Sequence, residues 1–301
     1  MKKRNYQKPA DVALLQEFSA QQSKRTNGCG YSHSGDIFYH IYSGNKGFDP
    51  AEILTIWEDN NGVAAWMLAS PGRKEFEVYV GQDQSDGFEQ EVLTYGEQRT
   101  LELMKLHRIE SDTLSCDVFS GDHKRRKLLL EMGWQIECEA EYVYNKMSLT
   151  DLPNRFLPAG YRIRPVKGLG EAARVAEVHN GSFGSNWTEA EYLRMMIAPG
   201  YQHELEFVVE TEDGDFAGFT LTWHDPITSS GLLEPVGVHC DHRRKGLGRA
   251  LVYHAVHHMK ASGLAYGIVM NETANEGALN LYRSCGFKPW QPLDTFSKMI
   301  V

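Results

Sequence analysis

One order of strand, turn and helix signals occurs twice along the chain, and this duplication constrains the fold more than any other feature. Turn and strand residues of the first copy have counterparts 152 to 158 residues later, in the pairs Gly62 and Gly214, Val80 and Val238, and Gly133 and Gly286. Self-similarity at a nearly fixed distance is the signature of a repeated structural unit. Because each copy alternates short strands with helices, the sequence predicts two tandem α/β domains.

The second copy has the clearer pattern of apolar residues. Alternation and apolar runs predict strands at 161–166, 205–210, 216–223, 232–239 and 264–270. Helical spacing predicts helices at 171–183, 246–261 and 276–285, and a further helix that begins after Thr188 as its N-cap. Gly263 and Gly286 are placed where two of these helices should end.

The first copy repeats this order with weaker signals. Strands are predicted at 53–57, 63–68, 74–80 and 113–118, and helices at 88–106 and 122–132. Between the copies, residues 150–160 are rich in proline, asparagine and aspartate, which is typical of a linker. We therefore predict a first domain at 1–150 and a second at 151–301.

Composition places the chain among globular proteins. Its 301 residues are enough for two domains of ~150 residues, and 42% hydrophobic with 24% charged residues excludes a disordered chain. No run of about 18 apolar residues is present, so we expect no membrane span. The basic N-terminus is not followed by an apolar stretch, and the five cysteines include no C-x-x-C pair. These features predict a cytoplasmic protein with reduced thiols.

The net charge of −9 argues against a general nucleic-acid binder, which needs a basic face. Against this acidic background, four cations lie within seven residues: Arg243, Arg244, Lys245 and Arg249. A local cluster of this kind on an acidic chain predicts an anionic ligand at that place.

The turn that carries these cations follows a strand and precedes a long helix. Free N–H groups and the macrodipole make a helix N-terminus attractive to phosphate. Gly246 and Gly248 would let ligand oxygens approach the backbone without meeting a Cβ atom. The order Arg-x-x-Gly-x-Gly is neither a P-loop nor a dinucleotide fingerprint. The alternative interpretation is a solvated basic turn before a surface helix.

A second segment follows the next predicted strand with the spacing N-x-x-A-x-x-L-Y-x-x-x-G-F, formed by Asn275, Ala278, Leu281, Tyr282, Gly286 and Phe287. Together with Arg243-x-x-Gly246-x-Gly248, it resembles the signature of the GNAT superfamily of acetyl-CoA-dependent N-acetyltransferases. The likeness covers about residues 161–301. The two-domain layout is similar to that of tandem GNAT proteins such as the mycothiol synthases.

The resemblance implies two tandem GNAT-like α/β domains, each with a mixed, mostly antiparallel sheet flanked by helices. It also implies acetyl-CoA as co-substrate, with the pyrophosphate on the turn from Arg244 to Arg249. The pantetheine arm would lie along the backbone of Val236 and Val238 and would meet Asn275. The implied cofactor-binding set is Val236, Gly237, Val238, Arg243, Arg244, Lys245, Gly246, Leu247, Gly248, Arg249, Asn271 and Asn275.

The same resemblance implies two catalytic residues. An alkyl ammonium has a pKa of ~10, so the acceptor amine needs a base, for which Glu234 is the candidate. Tyr282 would protonate the departing thiolate, and a bulge with strand splay would leave a backbone N–H for the oxyanion. The alternatives are an exposed strand-end carboxylate at Glu234 and an amphipathic core tyrosine at Tyr282. Further candidates for acceptor binding are His224, Asp225 and Trp187.

Two histidine-containing segments have residue types that bind metals. They are the stretch from His239 to His242, which includes Cys240 and Asp241, and the helical positions His254, His257 and His258. Neither forms a zinc ligand set with a partner elsewhere in the sequence, so we expect no metal site.

The first copy lacks the residues of this chemistry. The positions that correspond to the basic turn, 85–90, hold one glycine, no cation and two acids, Asp86 and Glu89. Tyr282 corresponds to Leu129, which has no proton to donate. We expect the first domain to be structural and to wall the acceptor cleft, which His33, Asp36 and Trp57 could face.

The leading functional hypothesis is an N-acetyltransferase that moves acetyl from acetyl-CoA to a primary amine of a small molecule by direct attack. An acidic chain suits a cationic amine. The alternative is a non-catalytic acyl-CoA-binding sensor, which would keep residues 243–249 and dispense with Glu234 and Tyr282. Nucleic-acid and membrane partners are not expected.

Overall fold

The computed structural model describes residues 1–300, which form two compact units. Unit 1 comprises residues 1–143, 272–274 and 291–300. Unit 2 comprises residues 144–271 and 275–290. The last strand of the chain therefore belongs mainly to unit 1, although it follows unit 2 in sequence.

The first half of the chain forms five α-helices and six strands among the described residues. The helices are α1 Ala10–Thr26, α2 Ser34–Tyr39, α3 Pro50–Ile53, α4 Asp86–Leu106 and α5 His123–Glu131. The strands are β1 Lys2–Asn5, β2 Leu54–Asp59, β3 Gly62–Ser70, β4 Glu75–Val80, β5 Thr113–Phe119 and β6 Gln135–Ser148.

The second half contributes four α-helices and six strands to the described part of the chain. The helices are α6 Ala172–Phe183, α7 Glu189–Met196, α8 Leu247–Ala261 and α9 Glu276–Cys285. The strands are β7 Tyr161–Pro165, β8 Glu206–Thr211, β9 Phe216–Asp225, β10 Ser230–Val238, β11 Tyr266–Glu272 and β12 Lys288–Met299.

Each unit contains a mixed and mostly antiparallel sheet with helices, as the resemblance implied. In unit 1 the strand order is β1-β2-β3-β4-β5-β12, and only the β4–β5 pair is parallel. In unit 2 the order is β7-β8-β9-β10-β11-β6, and β10 pairs in parallel with β11. The parallel pair places α4 and α8 in the crossover that such a connection requires.

The sixth strand of each sheet comes from the other half of the chain. In unit 1, Asp294 of β12 accepts a hydrogen bond of 2.7 Å from Ser120. In unit 2, Asn145 of β6 donates to Asn271 at 2.8 Å, and Leu149 N donates to Ala265 O at 2.9 Å. The units of the structure thus differ from the predicted halves at these two strands. The linker signal marks where a strand ends, and it does not reveal which sheet that strand joins.

The cores show why each helix packs as it does. In unit 1, Phe76 and Trp134 stack edge to face at 5.6 Å, and a Cβ at Gly96 of α4 would lie 2.7 Å from the Phe76 ring. Glycine there lets α4 approach the sheet closely. In unit 2, α8 buries a stripe that includes Leu251 and Val256. Burial of each such side chain stabilises the fold by about 1.5–3 kcal/mol.

The predicted elements of both copies are confirmed, with ends that shift by a few residues. The helix at 276–285 has the predicted bounds, and Gly286 ends it in the left-handed region at φ +100°. Thr188 is the N-cap of α7 and forms a reciprocal capping box with Glu191. The helices α1 to α3 were not predicted. No helix among the described residues is long and apolar enough to cross a membrane.

Candidate active site

A cleft of about 1060 Å³ opens in unit 2. Its walls are the C-terminal end of β10, the turn before α8 with the first residues of that helix, and α9. Three residues outside these elements, Phe156, Ser182 and Phe183, complete the lining. This volume slightly exceeds the ~300–1,000 Å³ usual for ligand sites. The cleft therefore has room for a large co-substrate.

Two glycines shape the turn at the start of α8. Gly246 is the N-cap at φ +84°, and a Cβ there would lie 2.9 Å from the Phe156 ring. A Cβ at Gly248 would lie 3.2 Å from Leu281 across the cleft. Side chains at these positions would therefore be strained or would fill the cleft. The first N–H groups of this 15-residue helix have no partner within the helix, which makes the turn a cradle for phosphate.

The four cations of the turn have different environments. Arg244 and Arg249 are exposed and line the cleft. Arg243 also lines it, but its guanidinium donates to the carbonyls of Ser182 at 2.7 Å and Val238 at 3.3 Å. Lys245 is not among the lining residues, and its Nζ donates to the Tyr161 hydroxyl at 3.3 Å. Arg243 thus fixes the turn against α6, and Arg244 and Arg249 supply charge inside the cleft.

The strand β10 has the bulge and the splay that the resemblance implied. Between Leu233 and Val236 the register shifts, so that Glu234 and Pro235 oppose the single residue Leu221 of β9. The parallel pairing with β11 covers only residues 230–232, and the two strands diverge beyond that point. Val236 and Val238, which follow the bulge, line the cleft. Their backbone is therefore open to a ligand on the side that β11 leaves.

Tyr282 lies on α9 in the wall of this cleft and is 7% exposed. Burial raises its pKa above the ordinary value, and the nearby carboxylate of Glu234 raises it further. The phenol is consequently protonated at neutral pH and can donate a proton. Glu234 itself is half-buried in the bulge, where its carbonyl accepts a hydrogen bond of 2.9 Å from the Trp223 indole. Glu234 is not a lining residue of the cleft, but it lies near enough for its charge to act on the Tyr282 hydroxyl.

The two predicted asparagines have different positions. Asn275 lines the cleft and is the N-cap of α9, where its Oδ1 accepts from Ala278 N at 3.0 Å. Its amide nitrogen remains the group suited to a ligand carbonyl. Asn271 is buried, is not among the lining residues and accepts a hydrogen bond from Asn145. Its observed contact therefore links β11 to β6.

Comparison with known proteins agrees with this geometry. Residues 172–287 match the model of the acetyltransferase (GNAT) family. They form a GNAT domain. Unit 2 contains nearly all of this domain and the whole cleft.

Curated relatives of the chain include bacterial acetyltransferases. The mycothiol acetyltransferase of Thermobifida fusca is 37% identical over 103 residues, which is 31% of this chain and 31% of that protein. That of Thermobispora bispora is 31% identical over 152 residues, or 47% and 51% of the two chains. The [ribosomal protein bS18]-alanine N-acetyltransferase of Escherichia coli is 27% identical over 46% of this chain and 80% of its own. The chain thus spans about half or less of these mycothiol acetyltransferases.

Solved structures extend the likeness to the whole fold. A GCN5-related N-acetyltransferase from Sphaerobacter thermophilus covers 99% of this chain and 95% of its own, with a TM-score of 0.64 and 19% identity. A tandem GNAT protein from the clavulanic acid biosynthesis pathway covers 99% and 98%, also with a TM-score of 0.64, at 16% identity. The predicted tandem GNAT layout is therefore confirmed.

Several lining residues of the GNAT domain were missed by sequence reasoning. They are Phe156 from the linker, Ser182 and Phe183 from the end of α6, His242 from the turn before α8, and Glu276, Gly277, Asn280 and Ser284 from α9. The side chains of Phe156 and Phe183 are 46% and 50% exposed, so neither residue belongs to the hydrophobic core that apolar periodicity predicts. Only a large apolar residue in a polar linker could have drawn attention to Phe156.

The further candidates in the second half lie outside this cleft. Asp225 is buried, and its Oδ1 accepts from Ile227 N at 2.9 Å in a turn after β9. Trp187 packs against Tyr192 at 5.5 Å between ring centroids. His224 is half-buried on β9, 5.6 Å from the ring of His258. None of the three is a lining residue of the cleft.

The three candidates of the first half have local structural contacts in unit 1. His33 is the N-cap of α2, where its Nδ1 accepts from Gly35 N at 3.0 Å, and Asp36 completes the capping box. Trp57 packs edge to face on Tyr95 at 5.2 Å. All three side chains are buried within unit 1.

The two histidine segments differ in their contacts and in their exposure. A 3-10 turn brings the ligand-type atoms of His239, Cys240 and Asp241 within 4.8 Å of one another on an exposed surface. The His239 Nδ1 accepts from the Asp241 N–H at 3.3 Å. On α8, burial lowers the pKa of His254 to about 4, and His257 bonds the Pro153 carbonyl at 2.8 Å.

Unit 1 has acids where the GNAT domain has cations. At the start of α4, Ser85 Oγ caps the helix by accepting from Phe88 N at 3.2 Å. Lys124 lies 2.9 Å from Asp86 and 3.2 Å from Glu89, and Arg125 lies 2.8 Å from Glu89. This helix N-terminus is therefore already capped and balanced by the protein's own charges. Leu129 is fully buried in the core of unit 1.

Proposed function

We propose that the chain transfers the acetyl group of acetyl-CoA to a primary amine of a small-molecule acceptor by direct attack. The observation that best supports this proposal is the cleft of the GNAT domain. A glycine-opened helix N-terminus and a buried, protonated Tyr282 both line this cleft. An acyl-CoA sensor would need the first feature only. The presence of both in one cleft favours an enzyme.

In this proposal the coenzyme lies along the cleft from α8 to the bulge. Its pyrophosphate accepts hydrogen bonds from the first N–H groups of α8 and interacts with Arg244 and Arg249. Its pantetheine arm pairs with the backbone of Val236 and Val238, where β11 has diverged. Asn275 donates its amide to the same arm. The thioester then lies near the bulge and Tyr282.

The chemical step uses the bulge and two side chains. Glu234 takes a proton from the acceptor ammonium, and the neutral amine nitrogen attacks the thioester carbon. A backbone N–H of the bulged segment stabilises the negative charge on the carbonyl oxygen. When the C–S bond breaks, the thiolate takes the proton of the Tyr282 hydroxyl, and the second proton of the attacking nitrogen passes through solvent to restore that hydroxyl. The products are an amide and coenzyme A.

The acceptor that we propose is a cationic amine. The relatives are named for different acceptors, mycothiol in one group and the alanine of a ribosomal protein in another. The net charge of −9 favours a cationic amine over an anionic one. We propose that the first domain binds no coenzyme and has a structural role.

The test is thiol release from acetyl-CoA with a panel of primary amines, followed by mass detection of the acetylated product. Tyr282→Phe should lower kcat on the order of 10²-fold and leave the acetyl-CoA Kd nearly unchanged. Tyr253→Phe is the matched control, because Tyr253 packs partly buried against the same core cluster and is not a lining residue. Amine-independent thiol release, or a Tyr282→Phe rate equal to that of the control, would contradict the proposal.

A further inference from the structure

Phe156 is a lining residue of the cleft to which the proposed chemistry gives no role. It belongs to the linker between the copies, and its side chain is 46% exposed at the mouth of the cleft. Its ring atom Cζ lies 2.9 Å from the position that a Cβ of Gly246 would take. The ring therefore borders the phosphate turn itself.

The linker is held in this position by α8. His257 of α8 bonds the Pro153 carbonyl at 2.8 Å, and Lys260 donates to the Thr150 carbonyl. Leu152 packs against the core cluster that contains Val256. The backbone before Phe156 is thus fixed at several points, and the ring is presented to the cleft by ordered structure.

We propose that Phe156 is a stacking platform for the adenine base of the coenzyme. This inference rests on the proposed function, because it takes the pyrophosphate to lie at the start of α8. In coenzyme A a single ribose separates the pyrophosphate from the base. A base attached to a phosphate at Gly246 therefore falls beside the ring that covers this glycine. Every base has a π face, and aromatic side chains bind bases through it.

The second exposed phenylalanine of the cleft is less suited to this task. The Phe183 ring already packs against His179 at 4.9 Å and Phe219 at 6.0 Å between centroids. It lies next to Ser182, whose carbonyl holds Arg243. Among residues 1–300 the structure shows no aromatic ring against Phe156, so both the position and the open face of this ring fit the base.

The experiment compares the two halves of the coenzyme in calorimetric titrations and rate measurements. The probes are coenzyme A, adenosine bisphosphate as its nucleotide half, and S-acetylpantetheine as acetyl donor without a nucleotide. Phe156→Ala and Phe156→Leu should weaken coenzyme A and adenosine bisphosphate on the order of tenfold, and Phe156→Trp should bind like wild type. Turnover of S-acetylpantetheine should be equal in all four proteins. Circular dichroism and thermal melts verify folding.

Phe156→Leu is the decisive variant, because leucine keeps an apolar cover over Gly246 and lacks a π face. Wild-type affinity in this variant would overturn the proposal, and so would an equal loss with S-acetylpantetheine. The proposed function fails separately. If wild type binds adenosine bisphosphate with the expected dependence on Phe156 but releases no thiol with any amine, the stacking site stands without the enzyme. If wild type binds no nucleotide probe, both inferences are wrong.

Discussion

Reversal of single charges in the turn before α8 tests the assignment of the coenzyme site. Arg244→Glu changes a cation that lines the cleft, and Lys245→Glu makes the same change in net charge one residue later. Lys245 points its Nζ at the Tyr161 hydroxyl, outside the cleft lining. The pair is therefore matched in charge and in sequence position, and it differs in contact with the ligand.

The expected magnitude follows from the contacts. Loss of one charge-assisted hydrogen bond costs about 1.5–3 kcal/mol. A like charge at ~4 Å adds up to about 4 kcal/mol at an effective dielectric of ~20, which exposure and salt reduce severalfold. Arg244→Glu should therefore weaken coenzyme A by about 3 kcal/mol, or on the order of 10²-fold in Kd. Lys245→Glu acts only through solvent, so its effect should stay below about threefold at physiological salt.

Isothermal titration calorimetry measures both the affinity and the number of sites. We expect one coenzyme A per chain, because in unit 1 Ser85 already caps the start of α4, and Asp86 and Glu89 already pair with the nearby cations Lys124 and Arg125. Arg249→Glu should weaken binding like Arg244→Glu, since both residues line the cleft. Thermal melts of each variant exclude loss of fold as the cause.

Three results would refute this reasoning. If Lys245→Glu weakens binding as much as Arg244→Glu, the net charge of the turn determines the affinity for coenzyme A, and the direction of each side chain has no effect. If Arg244→Glu keeps wild-type affinity, the phosphates lie elsewhere. A second equivalent of coenzyme A per chain would show that α4 tolerates a phosphate in spite of its acids.

Three further predictions follow from other contacts. Glu234→Gln should slow thiol release mainly at low and neutral pH and recover as rising pH deprotonates the amine, so an unchanged pH–rate profile would exclude Glu234 as the base. Gly246→Glu should abolish coenzyme A binding in a folded protein, because a side chain at φ +84° would displace the Phe156 ring and place a negative charge beside the phosphate site; calorimetry that shows wild-type affinity would contradict this. Burial raises the pKa of Glu206 to about 7 from 4.5, although Tyr192 and Tyr201 donate to it, so the wild type should lose stability as pH rises through this interval. Denaturant titrations measure the difference in free energy of unfolding between Glu206→Gln and wild type. Between pH 5 and pH 8 this difference should change by about 3 kcal/mol in favour of the variant. A difference that stays constant would show that the Glu206 carboxyl titrates normally.

Much of the fold and of the cleft could be predicted because local rules govern them. Apolar periodicity predicts the helices and strands around the site. The conformational freedom of glycine predicts the turn at Gly246 and the end of α9 at Gly286. The bulge at Glu234 was expected from the family resemblance, and the register of β10 confirms it. These features depend on a few neighbouring residues, so a single sequence contains them.

The exchanged strands depend on information that no local rule carries. β6 and β12 both follow a short helix, so the order of elements along the chain does not decide which sheet each strand joins. The choice is made by contacts far apart in sequence, such as Asp294 with Ser120, 174 residues away. Pairing between distant segments is decided by the whole sheet, and periodicity reports only the face that each strand buries.

Contacts between residues that are distant in sequence also decide where the side chains of the cations in the turn point. Arg244 has φ +61°, in the left-handed region that few non-glycine residues adopt, and this bend separates Arg243, which bonds to Ser182, from Lys245, which bonds to Tyr161. The two partners lie 61 and 84 residues from these cations in sequence. A count of charges in the sequence treats the four cations as equal, because it includes only their spacing. It does not include the backbone conformation that orients each side chain. The matched variants of Arg244 and Lys245 therefore test the part of the site that only the structure provides.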